Sequence, residues 1–312
     1  MKNKESMQMT LNGKNKSDIE KIAQVVFTIC ASCTILAVFS ILVYMFINGT
    51  PALFKVGIKE ILFKTVWKPT AAEPQYGIFY VILTSLIGTI LATLIGVPVG
   101  LFTAIFLAEA APKKVAAIVK PAVELLAGIP SVIYGLVGIM VLNPLMYKLE
   151  LFIFKDSDTH QFTGGANLLC AVLVLAVMIL PTVINMSETA LRAVPESLKA
   201  SSYALGATRT QTIFRITLPA AKSGILSATM LGVGRAIGEA MAITLVSGSS
   251  VNLPLPFNSV RFLTTALVSE MAYAGGVHRE VLFTIGLVLF VFIMLINIAM
   301  DKMSRSGGKA DE

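Results

Sequence analysis

The 312-residue chain is 55% hydrophobic and 14% charged, with a mean hydropathy of +0.80 and a formal net charge of +7. So few charges over this length exclude a soluble globular protein and predict an all-α, polytopic membrane protein. The basic excess is spread over loops without aromatic interleaving or a recognition motif, so its anionic partner is the lipid surface and not nucleic acid. Cys30 and Cys33 form a C-x-x-C inside an apolar run, with no second pair or histidine beside it, and read as small hydrophobes. The N-terminus does not read as a cleaved signal, because a long polar stretch precedes an apolar run too long for an h-region.

Residues 1–21 form a polar tail, expected to be cytoplasmic and without fixed structure. A first span follows at 22–47. Residues 48–76 are external and contain an amphipathic stretch, with Leu53, Phe54, Ile58, Ile61 and Leu62 on one side and Lys55 and Lys59 on the other. A surface helix closed by Trp67-Lys68-Pro69 is the expected form, and a plain loop the alternative. The core that follows, 77–300, is expected to hold five more spans. The second, 77–107, is longer than one crossing needs and should bend at Gly96-Val97-Pro98-Val99-Gly100, whose two glycines have the spacing that lets helices touch.

Glu109 and Lys113-Lys114 mark an inner turn. The third span is predicted from Val115 to about Leu145, with Lys120 and Glu124 paired on one face. Its centre, Gly128-Ile129-Pro130-Ser131-Val132-Ile133-Tyr134-Gly135, predicts a kinked helix that packs closely or lines a path, and makes Ser131 and Tyr134 candidate path residues. An external loop at 147–165 carries His160 without a ligand set. Further spans are predicted at 167–184, 222–247 and 281–300, with a re-entrant or surface helix at 262–271 and a cytoplasmic tail at 301–312. Lys and Arg on the segments assigned inside outnumber those outside by about two to one, which orients both termini and the central polar segment to the cytoplasm.

That central segment runs from Pro195 to Pro219. Pro195 suits a first helical turn, Gly206 can end the helix in the left-handed conformation, and Thr208 with Gln211 has capping-box spacing at a second start. Small residues (Ala200, Ser201, Ala204, Gly206) allow close approach, and Ile213, Phe214 and Ile216 are apolar anchors. The pattern Ala200-Ser201-Ser202, then Gly206, then Ile216-Thr217-Leu218-Pro219 resembles the cytoplasmic EAA loop of ATP-binding cassette (ABC) importer permeases, with Ala200 where that family has Glu. The resemblance implies a coupling helix that docks on a separate ATPase subunit through Ala200, Ser201, Ser202, Ala204, Gly206, Ile213, Ile216, Leu218 and Pro219.

Only one basic residue lies deep in a predicted span, Arg235 within Gly232-Val233-Gly234-Arg235-Ala236-Ile237-Gly238-Glu239. An arginine at mid-membrane costs about 2.5 to 3.5 kcal/mol on insertion scales and so faces protein or water. Glu239, one helical turn on, is expected to neutralise it. Two readings stay open: Arg235 contacts a permeating anion while Glu239 holds it, or the pair fixes helix register. The stretch from Gly234 to Ala242, with Ala127 to Gly135 and Tyr203 to Arg209, resembles the C-subunit permeases of phosphate-specific transport systems, over about 77–297.

This second resemblance implies a type I ABC importer permease fold with six transmembrane helices in a bacterial plasma membrane. It also implies a homologous second permease, an ATPase dimer that uses ATP, an extracytoplasmic phosphate-binding protein, and a phosphate path at Arg235 and Glu239. Sulfate, molybdate or another oxyanion is the alternative cargo. The chain is expected to bind no cofactor: Lys14 and Lys309 follow glycines, but Gln8 and Met303 stand where a phosphate-binding loop needs its first Gly. A secondary transporter leaves the hairpin without a task, and no matching pair of interrupted spans is visible. For a membrane enzyme, His160 and His278 lack a nearby nucleophile.

Overall fold

The computed structural model describes the backbone of residues 2–157 and 160–308 and the side chains of residues 20–157 and 160–302. Lys14, Lys309, Gln8 and Met303, used above to test for a phosphate-binding loop, have side chains outside the described residues. Five helices are long and apolar enough to cross a membrane, and a sixth crossing is reached when one bent pair, 209–220 with 222–238, counts as a single span. The all-α expectation holds.

Helix α1 (Lys2–Ala52) carries the tail in the same helix as the first span. The tail was expected to be without fixed structure, but its five lysines and three methionines favour helix and it has no proline. α1 lies at the periphery, with Phe27, Ile35 and Phe39 exposed, and packs on α14 (Gly276–Gly308), where the Thr284 hydroxyl donates to the Gly49 carbonyl at 2.8 Å. A π turn (Leu53–Gly57) and α2 (Ile58–Phe63) follow, turned by Gly57 at φ 97°. The expected common apolar side divides here: Ile61 is buried and Leu53 and Leu62 pack beside it, but Phe54 and Ile58 remain exposed. Trp67–Lys68 (β1) pairs antiparallel with Gln75–Tyr76 (β2).

The centre is the pair α3 (Phe79–Ile105) and α7 (Leu168–Arg192). Gly96 and Gly100 face α7 as their spacing requires: a Cβ on Gly96 would stand 2.6 Å from Ile179 Cδ1 and 2.9 Å from the Ala176 carbonyl, and one on Gly100 2.9 Å from Val183. α3 runs through Pro98 unbroken and ends in a π turn (Phe106–Ala110).

The third span departs from expectation. α4 (Lys113–Gly128) is a separate helix that lays Ala116, Val119 and Val123 beside Leu180 and Ile184 of α7. The crossing begins at Ser131, as α5 (Ser131–Val137), a π turn (Gly138–Leu142) and α6 (Asn143–Ile153), so the external loop starts near 154 and not 147. Ile129 is extended (φ −71°, ψ 126°) because a residue before proline is kept out of the helical region. Lys120 pairs with the buried Glu188 of α7 at 3.4 Å, and not with Glu124.

α7 outruns its predicted end because Glu188, Arg192 and Lys120 satisfy one another past the apolar run. The hairpin comprises α8 (Glu196–Ala204), α9 (Arg209–Thr212), a π turn (Ile213–Thr217) and α10 (Leu218–Ala220). The fifth span is α11 (Lys222–Gly238) and α12 (Met241–Val246), broken between them. α13 (Leu263–Glu270) is buried against α3, α12 and α14.

Overpacking a filled helix contact costs about 1–3 kcal/mol, so Gly96→Val should lower the unfolding midpoint in detergent. Gly206→Val meets no neighbour but forces a side chain to φ 83°, at about 1–2 kcal/mol, and the same melt should show the smaller drop.

Candidate substrate path and coupling segment

The hairpin has the local chemistry read from its sequence. Gly206 is left-handed at φ 83°, and the capping box closes with Thr208 N–H donating to Gln211 Oε1 at 2.8 Å and Gln211 N–H to Thr208 Oγ1 at 3.3 Å. The faces sort differently from expectation. Ala200, Ser201, Ala204, Gly206 and Pro219 are exposed, and Ile216 and Leu218 are half-buried. Ser202 is buried on Thr212, hydroxyl to hydroxyl at 2.9 Å, and Ile213 packs inside the chain with Ala104, Ile105, Leu191 and Val194. Neither is available as a surface contact, because the capping box aims α9 back under α8. The exposed apolar residues are instead Leu198, Tyr203, Leu205 and Phe214.

Basic side chains from the end of α7 and from the hairpin converge on the π turn that ends α3. Lys199 Nζ lies 2.8 Å from Glu109 Oε1 and 3.1 Å from Glu196 Oε1, Arg209 donates to the Glu109 carbonyl, and Arg192 donates to the Leu107 carbonyl at 3.0 Å. Burial by itself lowers the affinity of Lys199 for its proton, but hydrogen bonds and charge from Glu109 and Glu196 outweigh it and hold the pKa above 10.5. A raised lysine value contributes stability below its ordinary pKa and loses it only as pH climbs through the raised one, so the contact stays charged throughout the neutral range.

Arg235 and Glu239 do not form the expected pair. α11 stops at Gly238, and Glu239 is extended (φ −72°, ψ 131°). Its carboxylate turns forward and accepts from the Ala242 N–H at 3.0 Å in the first turn of α12, while its own carbonyl accepts from the Thr264 hydroxyl at 2.7 Å. Once the helix breaks, the one-turn spacing no longer places the two charges together. Arg235 donates to Thr182 Oγ1 of α7 at 3.4 Å, and among the described residues no carboxylate oxygen lies within 4.0 Å of its guanidinium.

The break in the third span lies beside this one. Tyr134 donates to the Leu126 carbonyl at 2.7 Å across the Ile129–Pro130 interruption. Gly135 and Gly138 let α5 and its π turn pack on α12, at Ala242, Leu245 and Val246. Ser131, half-buried at the start of α5, bonds neither charge. Glu239 thus sits just before the start of α12, the helix on which α5 packs.

Thr182 and Thr264 were missed. Thr182 follows Pro181 in an apolar run, a polar group beside a helix-perturbing proline, and that signal marks it; Thr264 carries no such mark. His160 lies 2.8 Å from the buried Glu150, and His278 2.7 Å from Glu270, which also accepts from Trp67 and Arg261. Among the described residues no group of three His, Cys, Asp or Glu is placed to hold a metal ion.

Residues 96–306, more than half of the chain, match the family described as binding-protein-dependent transport system inner membrane component. A probable ABC transporter permease protein, YqgH of Bacillus subtilis, is 37% identical over 95% of this chain and 96% of its own length. The phosphate transport system permease protein PstC of Haemophilus influenzae is 33% identical over 95% of this chain and 97% of its own. Among solved structures, a bacterial alginate ABC transporter in complex with an alginate-bound periplasmic protein superimposes with a TM-score of 0.63 at 19% identity, covering 88% of this chain and 91% of that one. The inward-facing MetNI methionine ABC transporter gives 0.51 at 21%, covering 74% and 94%. These two show the fold, that of type I ABC importer permeases. The chain belongs to the binding-protein-dependent transport system inner membrane component family and is an integral membrane permease subunit of an ABC transporter, not an ATPase.

Proposed function

We propose that the chain is one of two homologous permeases in an ATP-driven importer of inorganic phosphate in a bacterial plasma membrane. The observation that carries this reading is Arg235, a guanidinium on α11 within the span bundle, bonded among the described residues to one neutral hydroxyl, just before the break that ends α11. Its planar fork of donors suits an oxyanion, and an intramembrane charge that no carboxylate neutralises favours an anionic cargo. Ser131 adds a hydroxyl at the start of α5, while the Tyr134 hydroxyl is committed to the Leu126 carbonyl. The relatives named for phosphate transport support phosphate as that anion; sulfate or molybdate are the nearest alternatives.

In this reading both termini and the 195–219 hairpin face the cytoplasm, where the hairpin meets an ATPase dimer. Contact is made by exposed Ala200, Ser201, Ala204, Gly206 and Pro219, with Leu205 and Tyr203 as the apolar plug and Ile216 and Leu218 at its edge. An extracytoplasmic binding protein delivers phosphate to the opposite face. ATP binding prefers one arrangement of the hairpins and hydrolysis the other, and that difference switches the path between inward-facing and outward-facing states. The chain itself contributes no cofactor site. Interrupted spans also occur in secondary transporters, but family membership and the hairpin favour ATP as the energy source.

The test is uptake of labelled phosphate by proteoliposomes that hold the whole complex, with and without ATP and with sulfate as competitor. ATP-dependent uptake insensitive to sulfate is expected; uptake that follows an ion gradient and ignores ATP defeats the reading. A hydrogen bond to a charged group is worth about 1.5–3 kcal/mol, so Arg235→Gln should cut uptake about tenfold or more, with Arg235→Lys intermediate because it keeps charge and loses the fork. Glu239→Ala should lose a helix cap, at about 0.5–2 kcal/mol in a detergent melt, whereas Glu239→Gln keeps an acceptor oxygen and should melt near wild type.

A further inference from the structure

We propose that the ion pair of Lys199 with Glu109, seconded by Arg209 on the Glu109 carbonyl, is the tether through which the coupling hairpin moves α3. Lys199 is then a positioning residue for transport. This rests on the functional reading above and adds a specific route to it.

A helix end leaves its last carbonyls without partners and carries partial negative charge. At the end of α3, the Leu107 and Glu109 carbonyls are taken by Arg192 and Arg209, and the Glu109 carboxylate by Lys199. Lys199 comes from α8, before the Gly206 turn, and Arg209 from α9, after it. One glutamate is therefore held from both arms of the hairpin, and the hairpin cannot rock about its turn without either moving α3 or breaking the contact. Lys199 and Glu109 side chains are each only 10% exposed, so water does not readily replace the bond.

Beyond the turn the contacts are rigid. α3 meets α7 through Gly96 on Ile179 and Gly100 on Val183, and α11 meets α7 through Gly232 on the same Val183. The next residue back, Thr182, is the partner of Arg235. Backbones this close have no slack, so a shift of α3 is passed to α7 and to the Arg235 contact. The hairpin also joins α11 directly through the bend at Ala221, and the tether gives it a second, separate grip on the bundle.

The experiment uses the complete complex in proteoliposomes and reads phosphate taken up per ATP hydrolysed, a ratio that does not depend on how much complex assembles. Lys199→Met and Glu109→Gln should each lower the ratio about tenfold or more while binding-protein-stimulated ATP hydrolysis continues, and the double variant should be no worse than either single, because one interaction has been removed once. Lys199→Arg, which keeps charge and donors, should retain most of the ratio and serves where the neutral variants assemble poorly. An unchanged ratio in the single variants, or independent losses that multiply in the double, overturns the tether. Loss of uptake only in proportion to lost complex also overturns it. If wild-type complex shows no ATP-driven phosphate uptake, the functional reading itself fails; if it does and the variants match it, only the tether fails.

Discussion

In hydrocarbon an unpartnered backbone group costs several kcal/mol, so every interruption of a spanning helix must be repaired by the protein around it. The two interruptions here are repaired by named groups. Tyr134 closes on the Leu126 carbonyl, Glu239 on the Ala242 N–H, and Thr264 on the Glu239 carbonyl. Thr264 sits on the buried α13, whose own start is held by Ser85 of α3, the serine hydroxyl accepting from the Leu263 N–H at 2.8 Å. The α11–α12 break, α13 and α3 thus depend on one another.

The consequence for the path is chemical. Because Glu239 is engaged by a helix start, Arg235 keeps its charge without a carboxylate beside it, and its hydroxyl partner Thr182 leaves most of its donors uncommitted. A bundle that had paired the two would have a neutral centre suited to register and not to anions. The glycines act on the same region: Gly135 and Gly138 bring α5 and its π turn against α12, and Gly96, Gly100 and Gly232 bring α3 and α11 against α7. Close backbones make the core stiff, and the ionic contacts at Glu109 and Glu188 place the coupling segment at one end of that stiff unit.

Much of this was legible locally. The Gly206 turn, the Thr208 and Gln211 box, the Gly96 and Gly100 contact and the need for six crossings all follow from interactions within a few residues or from a one-dimensional spacing. The errors share one cause. The Lys120 and Glu124 pair and the Arg235 and Glu239 pair both assumed an uninterrupted helix or a free partner; in one case Glu188, distant in sequence, took the lysine, and in the other the helix ended between the two charges. Ile213 looked like a surface anchor because its apolar neighbours do not reveal which way α9 folds beneath α8.

By itself the sequence determined that the chain is an all-α membrane protein of ABC permease type, with a hairpin between spans and one charged locus within them. Apolar run length, glycine and proline placement and capping chemistry are properties of contiguous residues, and lipid permits few other solutions. Only the tertiary structure decided that the third and fifth spans are broken at adjoining points, that Arg235 answers to Thr182, and that Lys199 and Arg209 hold the end of α3. Those outcomes depend on which partner reaches a freed backbone group or a charge first in space, and for the charges the partners lie from 53 to 100 positions apart, which no local pattern records.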